Sequence, residues 1–148
     1  MLKKSLSVTI TIATLLIVLW QTEGTTQVNK REIACSNIIN GYPSRDGFLK
    51  TKWNNGRTYE ENVVLTVGTN GAYLNWENSQ DKFLVNTNGS TFELVRGQNW
   101  QTYRGVCQES DSGSRSTYEI EGSAYSYPDN VAGTFVLRLS SSKPRPPR

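Results

Sequence analysis

The chain has 148 residues, 16 Lys and Arg against 13 Asp and Glu, and no histidine. The lack of histidine excludes the commonest general base, His-dependent catalytic triads and most zinc sites. The formal charge of +3 does not indicate a nucleic-acid binder, because the excess of positive residues lies near the ends of the chain and leaves no basic stripe to face phosphates.

Residues 1–24 have the layout of a secretory signal peptide. Lys3 and Lys4 precede an uncharged, apolar stretch at 5–20, and residues 21–24 restore polarity and offer a cleavage site. The apolar stretch is shorter than the ~20 residues that a membrane-spanning helix requires. We therefore expect a secreted, extracellular protein with no membrane span.

Residues 25–31 are polar and end in the dibasic pair Lys30-Arg31. Two interpretations stay open. Either this segment is a propeptide that is removed by processing at Lys30-Arg31, or it is a disordered N-terminus that is retained. In both cases residues 32–140 are expected to form a single β domain.

Cys35 and Cys107 are the two cysteines of the chain. A lone pair in an oxidising compartment usually forms a disulfide. Such a bond would close a loop of about 72 residues and stabilise the domain by about 4 kcal/mol.

Alternating apolar and polar residues, separated by turn signals, recur along the rest of the chain and predict short strands. Eight strands are predicted, at 48–53, 62–67, 72–76, 82–86, 91–95, 102–108, 117–121 and 134–139. Asn55-Gly56, Asn70-Gly71 and Asn88-Gly89 predict hairpins with type I′ turns. The fold class is therefore all-β, a small antiparallel sandwich or barrel of about eight strands with one disulfide.

Three polar or Pro-containing segments are predicted to lie outside the strands. Residues 109–116 contain no apolar side chain and predict an exposed loop. Residues 125–132 form a second loop, because Pro128 does not fit a central strand. Residues 141–148 form a basic, Pro-rich tail that is expected to be disordered.

Aromatic residues are the strongest indication of a binding site. Those near hairpin turns or strand ends are Trp53, Tyr59, Tyr73, Trp76, Trp100 and Tyr103. Exposed aromatic rings beside Asn, Gln and Thr could stack on sugars or form hot spots of a protein interface. The alternative is that they pack in the core. Trp100 has the most polar neighbours and is the best candidate for exposure.

Carboxylates are the remaining candidates for chemistry. Glu60-Glu61 or the pair Glu119 and Glu121 could form a hydrolase dyad, but the alternation places Glu119 and Glu121 on the solvated face of a strand. Two acids in the loop at 109–116 are too few for a calcium site. We therefore expect no catalytic residue, no metal and no cofactor.

Asn88-Gly89-Ser90 is an N-glycosylation sequon at the tip of a predicted hairpin, so Asn88 is a candidate glycosylation site. Three functions stay open for the exported domain. The first is a non-enzymatic binding protein, effector-like or toxin-like, that acts on an extracellular protein. The alternatives are a lectin-like module that binds a glycan and a small lipocalin-like carrier, if the strands close into a barrel with a cavity.

Overall fold

The structure is a computed structural model that describes residues 28–40, 43–77, 79, 82–97, 100–111 and 116–140. The predicted signal peptide, residues 25–27 and the predicted tail at 141–148 lie outside the described residues. The elements are β1 (Asn29–Glu32), α1 (Ser36–Ile39), β2 (Ser44–Trp53), β3 (Thr58–Gly68), β4 (Gly71–Trp76), β5 (Lys82–Asn88), β6 (Thr91–Arg96), β7 (Gln101–Asp111), β8 (Ser116–Ser126) and β9 (Val131–Ser140).

Strands β2 to β9 form a closed, up-and-down antiparallel barrel. Each strand pairs with the next along the chain, and β9 returns to pair with β2. Closure leaves these eight strands without a free edge, which is how small all-β domains avoid edge-to-edge association. The predicted fold class is confirmed, and the choice between sandwich and barrel is decided by the pairing of β2 with β9.

Alternation along the strands fills the barrel interior with apolar side chains. The most deeply buried include Leu49, Val63, Leu65, Leu74, Leu94, Ile120, Leu137 and Leu139. Strands β7 and β8 approach each other closely where Gly105 and Gly122 face the interior. A Cβ atom on Gly122 would lie 2.0 Å from the carbonyl oxygen of Arg104, so this approach requires glycine.

The segment before β2 closes one end of the barrel. Strand β1 pairs with β7 at residues that extend beyond the β6–β7 ladder, from Asn29 opposite Asp111 to Glu32 opposite Gln108. Helix α1 follows and buries Ile38 in the core. We call this the closed end; neither β1 nor α1 was predicted from the sequence.

The predicted disulfide between Cys35 and Cys107 is confirmed, with the two Cα atoms 5.4 Å apart. Backbone hydrogen bonds reinforce it, since Cys35 N–H donates to the Gly89 carbonyl at 2.8 Å and Cys107 N–H donates to the Ser90 carbonyl at 2.8 Å. The bond therefore fastens the closing segment to β7, beside the β5–β6 hairpin.

The opposite end, which we call the open end, carries the β2–β3, β4–β5, β6–β7 and β8–β9 connections. Because an up-and-down barrel places every second connection at the same end, these four loops surround a single mouth. The N-terminal segment does not reach it, so the inward residues near the mouth are left without a cap from β1 or α1.

Two details of the predicted loops and turns were wrong. Within the predicted loop at 109–116, residues 109–111 and Ser116 are strand and residues 112–115 lie outside the described residues; β1 supplies hydrogen-bond partners for β7 as far as Asp111. The Asn-Gly pairs do lie at hairpin turns, but only the glycine has positive φ, as at Gly56 with φ +87°. Gly56 N–H donates to the Trp53 carbonyl at 3.0 Å, which matches a type I turn followed by a left-handed glycine rather than a type I′ turn.

Candidate functional site

A cavity of about 270 Å³ opens at the open end of the barrel. We call it the mouth cavity. Its lining residues are Thr51, Trp53, Tyr59, Glu61, Arg96, Gln101 and Tyr103. They come from β2, β3, β6 and β7, and each occupies an inward position in the alternation of its strand. Every lining residue that the structure describes therefore belongs to the barrel wall.

A smaller hollow adjoins the mouth cavity and shares three of its residues, Trp53, Tyr59 and Gln101. It extends outward to Arg57 and to Asp129 in the β8–β9 connection. The two hollows together form a continuous depression that leads from solvent into the barrel.

The mouth cavity exists because the inward residues of three strands change from apolar to polar or charged toward the open end. In β2 the inward series runs from Leu49 to Thr51, and in β6 it runs from Leu94 to Arg96. In β3 the inward position next to Val63 toward the open end is occupied by Glu61. Short or charged side chains cannot fill the barrel axis as leucines do, and buried polar groups need hydrogen-bond partners. The barrel interior is consequently hollow at its open end, with polar and aromatic side chains around the cavity.

The inner wall of the mouth cavity carries three hydrogen-bonding side chains. Tyr103 is buried, donates its phenolic hydrogen to Gln101 Oε1 at 2.9 Å, and packs edge-on against Phe135 with ring centroids 5.3 Å apart. Thr51 is only 1% exposed. Its hydroxyl lies beside the Tyr103 phenol and acts on the pKa of that group.

Burial raises the pKa of Tyr103, and the neighbouring Thr51 hydroxyl and Arg96 guanidinium oppose this effect only in part. The phenol is therefore neutral throughout the physiological range. In that state it offers both a donor and an acceptor to its neighbours.

A charged pair spans one side of the mouth cavity. Arg96 Nη1 lies 3.4 Å from Glu61 Oε1 and 3.5 Å from Oε2. The guanidinium carbon lies 4.2 Å from the centroid of the Trp76 ring, within the range of a cation–π contact. These distances to Glu61 exceed the 2.7–2.9 Å typical of a charge-assisted hydrogen bond, so the ring of Trp76 orients Arg96 more than the carboxylate does.

The structure brings together some of the predicted aromatic residues and separates others. Trp53, Tyr59 and Tyr103 line the mouth cavity, and Trp76 lies buried beneath Arg96. Tyr73 is half-buried on the outer face of β4. Trp100 is 62% exposed and stands outside the mouth cavity.

Further aromatic side chains stand around the mouth. Tyr59 and Tyr127 are exposed, like Trp100. Tyr127 N–H donates to the Trp100 carbonyl at 3.0 Å, so the β6–β7 and β8–β9 connections are joined. The rim of the open end is consequently aromatic on the side of these two loops.

Sequence reasoning missed Thr51, Arg96 and Gln101, and it named Glu61 only as one of two adjacent acids. The signal was present in the alternation. Val63 and Leu65 define the inward face of β3, and counting back by two residues places Glu61 on the same face. A charged residue on an inward face near a strand end indicates a cavity or a partner.

Glu119 does not lie on an open polar face as predicted, whereas the Glu121 side chain is 37% exposed. Lys30 of β1 crosses the outer surface of the barrel and contacts both carboxylates, at 2.5 Å for Glu121. Arg138 Nε donates to the other oxygen of Glu119 at 2.8 Å. The prediction was wrong for Glu119 because the Lys30 and Arg138 side chains cover it.

The predicted modification sites lie near the closed end. In the dibasic pair, Lys30 contacts the two carboxylates of β8, and Arg31 Nη2 lies 2.7 Å from Glu109 Oε2. Asn88 is exposed at the β5–β6 hairpin. The Ser90 hydroxyl of its sequon donates to Glu32 Oε1 at 2.5 Å.

Within the described part of the chain, no group of three or more Cys, Asp or Glu residues could hold a metal ion. No described helix has the length and apolar character needed to cross a membrane. Comparisons with known proteins find no matching family model, no matching curated protein and no matching solved structure.

Proposed function

We propose that this protein is a secreted, non-enzymatic binding protein that holds a small organic molecule in the mouth cavity. One observation carries the proposal. The barrel interior is filled with apolar side chains except at its open end, where a cavity of about 270 Å³ is lined by the rings of Trp53 and Tyr59 and by the polar side chains of Glu61, Arg96 and Gln101. Small-molecule sites typically combine such aromatic surface with a few placed polar groups.

The volume limits the ligand. At ~30 Å³ per water molecule, the mouth cavity corresponds to about nine waters, or a molecule of roughly ten to fifteen non-hydrogen atoms. This is just below the usual range for drug-sized ligands. At about 0.5 kcal/mol per non-hydrogen atom, a ligand of ~12 such atoms gains about 6 kcal/mol, which corresponds to a dissociation constant of about 40 μM.

The lining residues favour binding over catalysis. Glu61 is the carboxylate in the mouth cavity, and its charge is balanced by Arg96. The Tyr103 hydroxyl is already bonded to Gln101, and the lining residues that the structure describes include no Cys or Ser nucleophile. Export is supported by the predicted signal peptide and by a disulfide, which persists in oxidising compartments.

The proposal is tested by screening a library of small compounds of ten to fifteen non-hydrogen atoms, including monosaccharides, by saturation-transfer NMR. Gln101→Trp would fill the mouth cavity with a larger side chain. Lys52→Trp, on the exposed outer face of β2, is the matched control. We expect compounds that compete with one another, lose binding in Gln101→Trp and retain it in Lys52→Trp. A screen with no hit that depends on Gln101 would refute the proposal.

A second candidate is the binding of an extracellular protein through the outer surface of the barrel. Uncharged side chains form a row across neighbouring strands on this surface. Tyr73 of β4 pairs with Leu84 of β5. Thr102 of β7 pairs with Val95 of β6 on one side and with Tyr125 of β8 on the other. Leu84 and Val95 are both exposed. Exposed apolar surface of this kind is common at protein interfaces.

The double variant Leu84→Lys and Val95→Lys separates this candidate from the first. If the outer row is the binding surface, this variant loses capture of a defined extracellular protein, whereas Gln101→Trp retains it. The second candidate is wrong if the double variant captures every protein that the wild type and Gln101→Trp capture.

A further inference from the structure

The ion pair in the mouth cavity differs from the ion pairs on the outer surface. Outside the barrel, Lys50 Nζ lies 2.6 Å from Glu60 Oε1 and Arg138 Nε lies 2.8 Å from Glu119 Oε2. The shortest contact between Arg96 and Glu61 is 3.4 Å. The internal pair is therefore the more loosely joined, and both of its side chains are 28% exposed.

The backbone explains this separation. Glu61 lies in β3 and Arg96 in β6, and two strands stand between them in the barrel. The Trp76 ring of β4 holds the guanidinium at 4.2 Å. Each charge is thus anchored by its own strand, and the carboxylate and guanidinium face each other with bonding capacity to spare. Arg has five N–H donors and a carboxylate about four acceptor sites, whereas this contact uses one nitrogen.

Charge balance restricts what can enter between them. A ligand that carries only a negative charge would compensate Arg96 and leave Glu61 unpaired in a site from which water has been expelled. A ligand that carries only a positive charge would do the reverse. Both side chains are 28% exposed, so leaving one of them without a partner becomes unfavourable only to the extent that the ligand displaces the surrounding water. A ligand that is neutral or carries both charges is therefore favoured.

The loose pairing favours a ligand with both charges. A carboxylate can accept two parallel hydrogen bonds from a guanidinium, and an ammonium group can donate to Glu61. A ligand with both groups would replace one long contact by two short charge-assisted ones. A neutral ligand would gain no such exchange.

The rest of the cavity suits the remainder of such a ligand. Trp53 and Tyr59 provide aromatic surface on β2 and β3, and both also line the adjoining hollow toward solvent. An apolar or aromatic side chain could pack there while the charged groups lie deeper. The whole molecule would fall within the size range set by the cavity volume.

We propose that the mouth cavity binds a free α-amino acid with an aromatic or large apolar side chain, its carboxylate on Arg96 and its ammonium group on Glu61. This inference rests on the proposed small-molecule function and specifies the ligand class.

Isothermal titration calorimetry with four matched compounds tests it. L-phenylalanine carries both charges, phenylacetate only the negative one, phenethylamine only the positive one, and N-acetylphenylalaninamide neither. We expect L-phenylalanine to bind the full-length secreted protein at least about tenfold more tightly than each of the other three, which corresponds to the loss of one charge-assisted contact.

Two variants should shift the ligand preference away from L-phenylalanine, one toward the anionic compound and the other toward the cationic compound. Glu61→Gln leaves Arg96 without its anion, so phenylacetate should gain affinity relative to L-phenylalanine. Arg96→Gln leaves Glu61 without its cation, so phenethylamine should gain instead. Glu93→Gln is the control, because Glu93 pairs with Arg104 on the outer surface. A general folding defect would weaken all compounds together and could not produce this reversal.

The outcomes separate the two proposals. If N-acetylphenylalaninamide binds as tightly as L-phenylalanine, the amino-acid inference is overturned, while small-molecule binding stands. The same holds if none of the four compounds binds but library hits are lost in Gln101→Trp. If neither the four compounds nor the library yields a hit that depends on Gln101, both proposals fail.

Discussion

Glu119 offers the sharpest test of how the N-terminal strand is fastened to the barrel. Its side chain is 5% exposed and contacts Lys30 and Arg138. Burial by itself would raise the pKa of this carboxyl group. Hydrogen bonds with the neighbouring Glu121 carboxyl, the Lys30 ammonium and the Arg138 guanidinium outweigh burial and lower the pKa to about 2. The charged form is therefore strongly favoured in the folded state.

The effect on stability follows from the difference between folded and unfolded pKa. A fall from the usual 4.5 to about 2 corresponds to about 3 kcal/mol at neutral pH. Solvent screening reduces this figure, because the Lys30 and Arg138 side chains are themselves partly exposed. We expect Glu119→Gln, which keeps the size of the side chain, to lower the free energy of unfolding by about 2 kcal/mol at pH 7.

The pH dependence identifies the cause. Since the folded pKa is lowered, the contribution of Glu119 is complete above the unfolded pKa of about 4.5 and is lost as the pH falls toward 2. The difference between wild type and Glu119→Gln should therefore be constant from pH 6 to 8 and shrink steadily below about pH 4.5. Urea unfolding at pH 7, 4 and 2.5 measures it.

Glu60→Gln is the matched control. Glu60 is also a strand carboxylate paired with a lysine, with Lys50 Nζ at 2.6 Å, but both side chains are about half exposed. Exposed pairs contribute about 0–1 kcal/mol. The reasoning would be refuted if the two variants were equally destabilised, or if the loss in Glu119→Gln were as large at pH 2.5 as at pH 7.

Three further predictions concern the closed end and the barrel wall. Replacing both Cys35 and Cys107 by Ala should lower the free energy of unfolding by about 3–4 kcal/mol, because the bond spans 72 residues; an unchanged urea midpoint would contradict this. Gly122→Ala should prevent correct folding or lower the free energy of unfolding by more than about 3 kcal/mol, since its Cβ would lie 2.0 Å from a backbone oxygen. Gly68→Ala is the control, because its Cβ would have its nearest contact at 4.0 Å, and its melting temperature should be almost unchanged. Lys30→Ala should lower the free energy of unfolding by about 1 kcal/mol at pH 7. It should also raise the pKa of Glu119, which Lys30 lowers in the wild type, as measured by NMR titration. An unchanged pKa of Glu119 would show that the lysine contributes nothing there.

Much of the fold could be predicted because the barrel strands obey a local rule. All eight predicted strands correspond to β2 to β9, since period-two alternation and turn residues act over a few neighbours. The disulfide was predictable from the cysteine count and the expected compartment. Strand β1 was not, because Asn29–Glu32 is polar throughout and becomes a strand only by pairing with β7. The burial of Glu119 was missed for the same reason.

The candidate site was predicted in part. Trp53, Tyr59 and Tyr103 were named for their aromatic rings, but a ring near a strand end gives no sign of whether it lines a cavity or fills the core. Arg96 and Glu61 could not be paired from the sequence, because their proximity depends on the curvature that carries β3 and β6 around the barrel.

The sequence by itself determined the all-β class, the positions of the eight barrel strands along the chain and the disulfide, because each depends on local pattern or on the count of one residue type. Only the tertiary structure decided that β9 pairs with β2, that the N-terminal segment closes one end, and that the other end opens into a cavity lined by polar and aromatic side chains. The physical reason is that closure, capping and cavity formation are contacts between segments distant in the chain. Whether a polar inward residue such as Thr51 finds a partner depends on what the other strands bring opposite it.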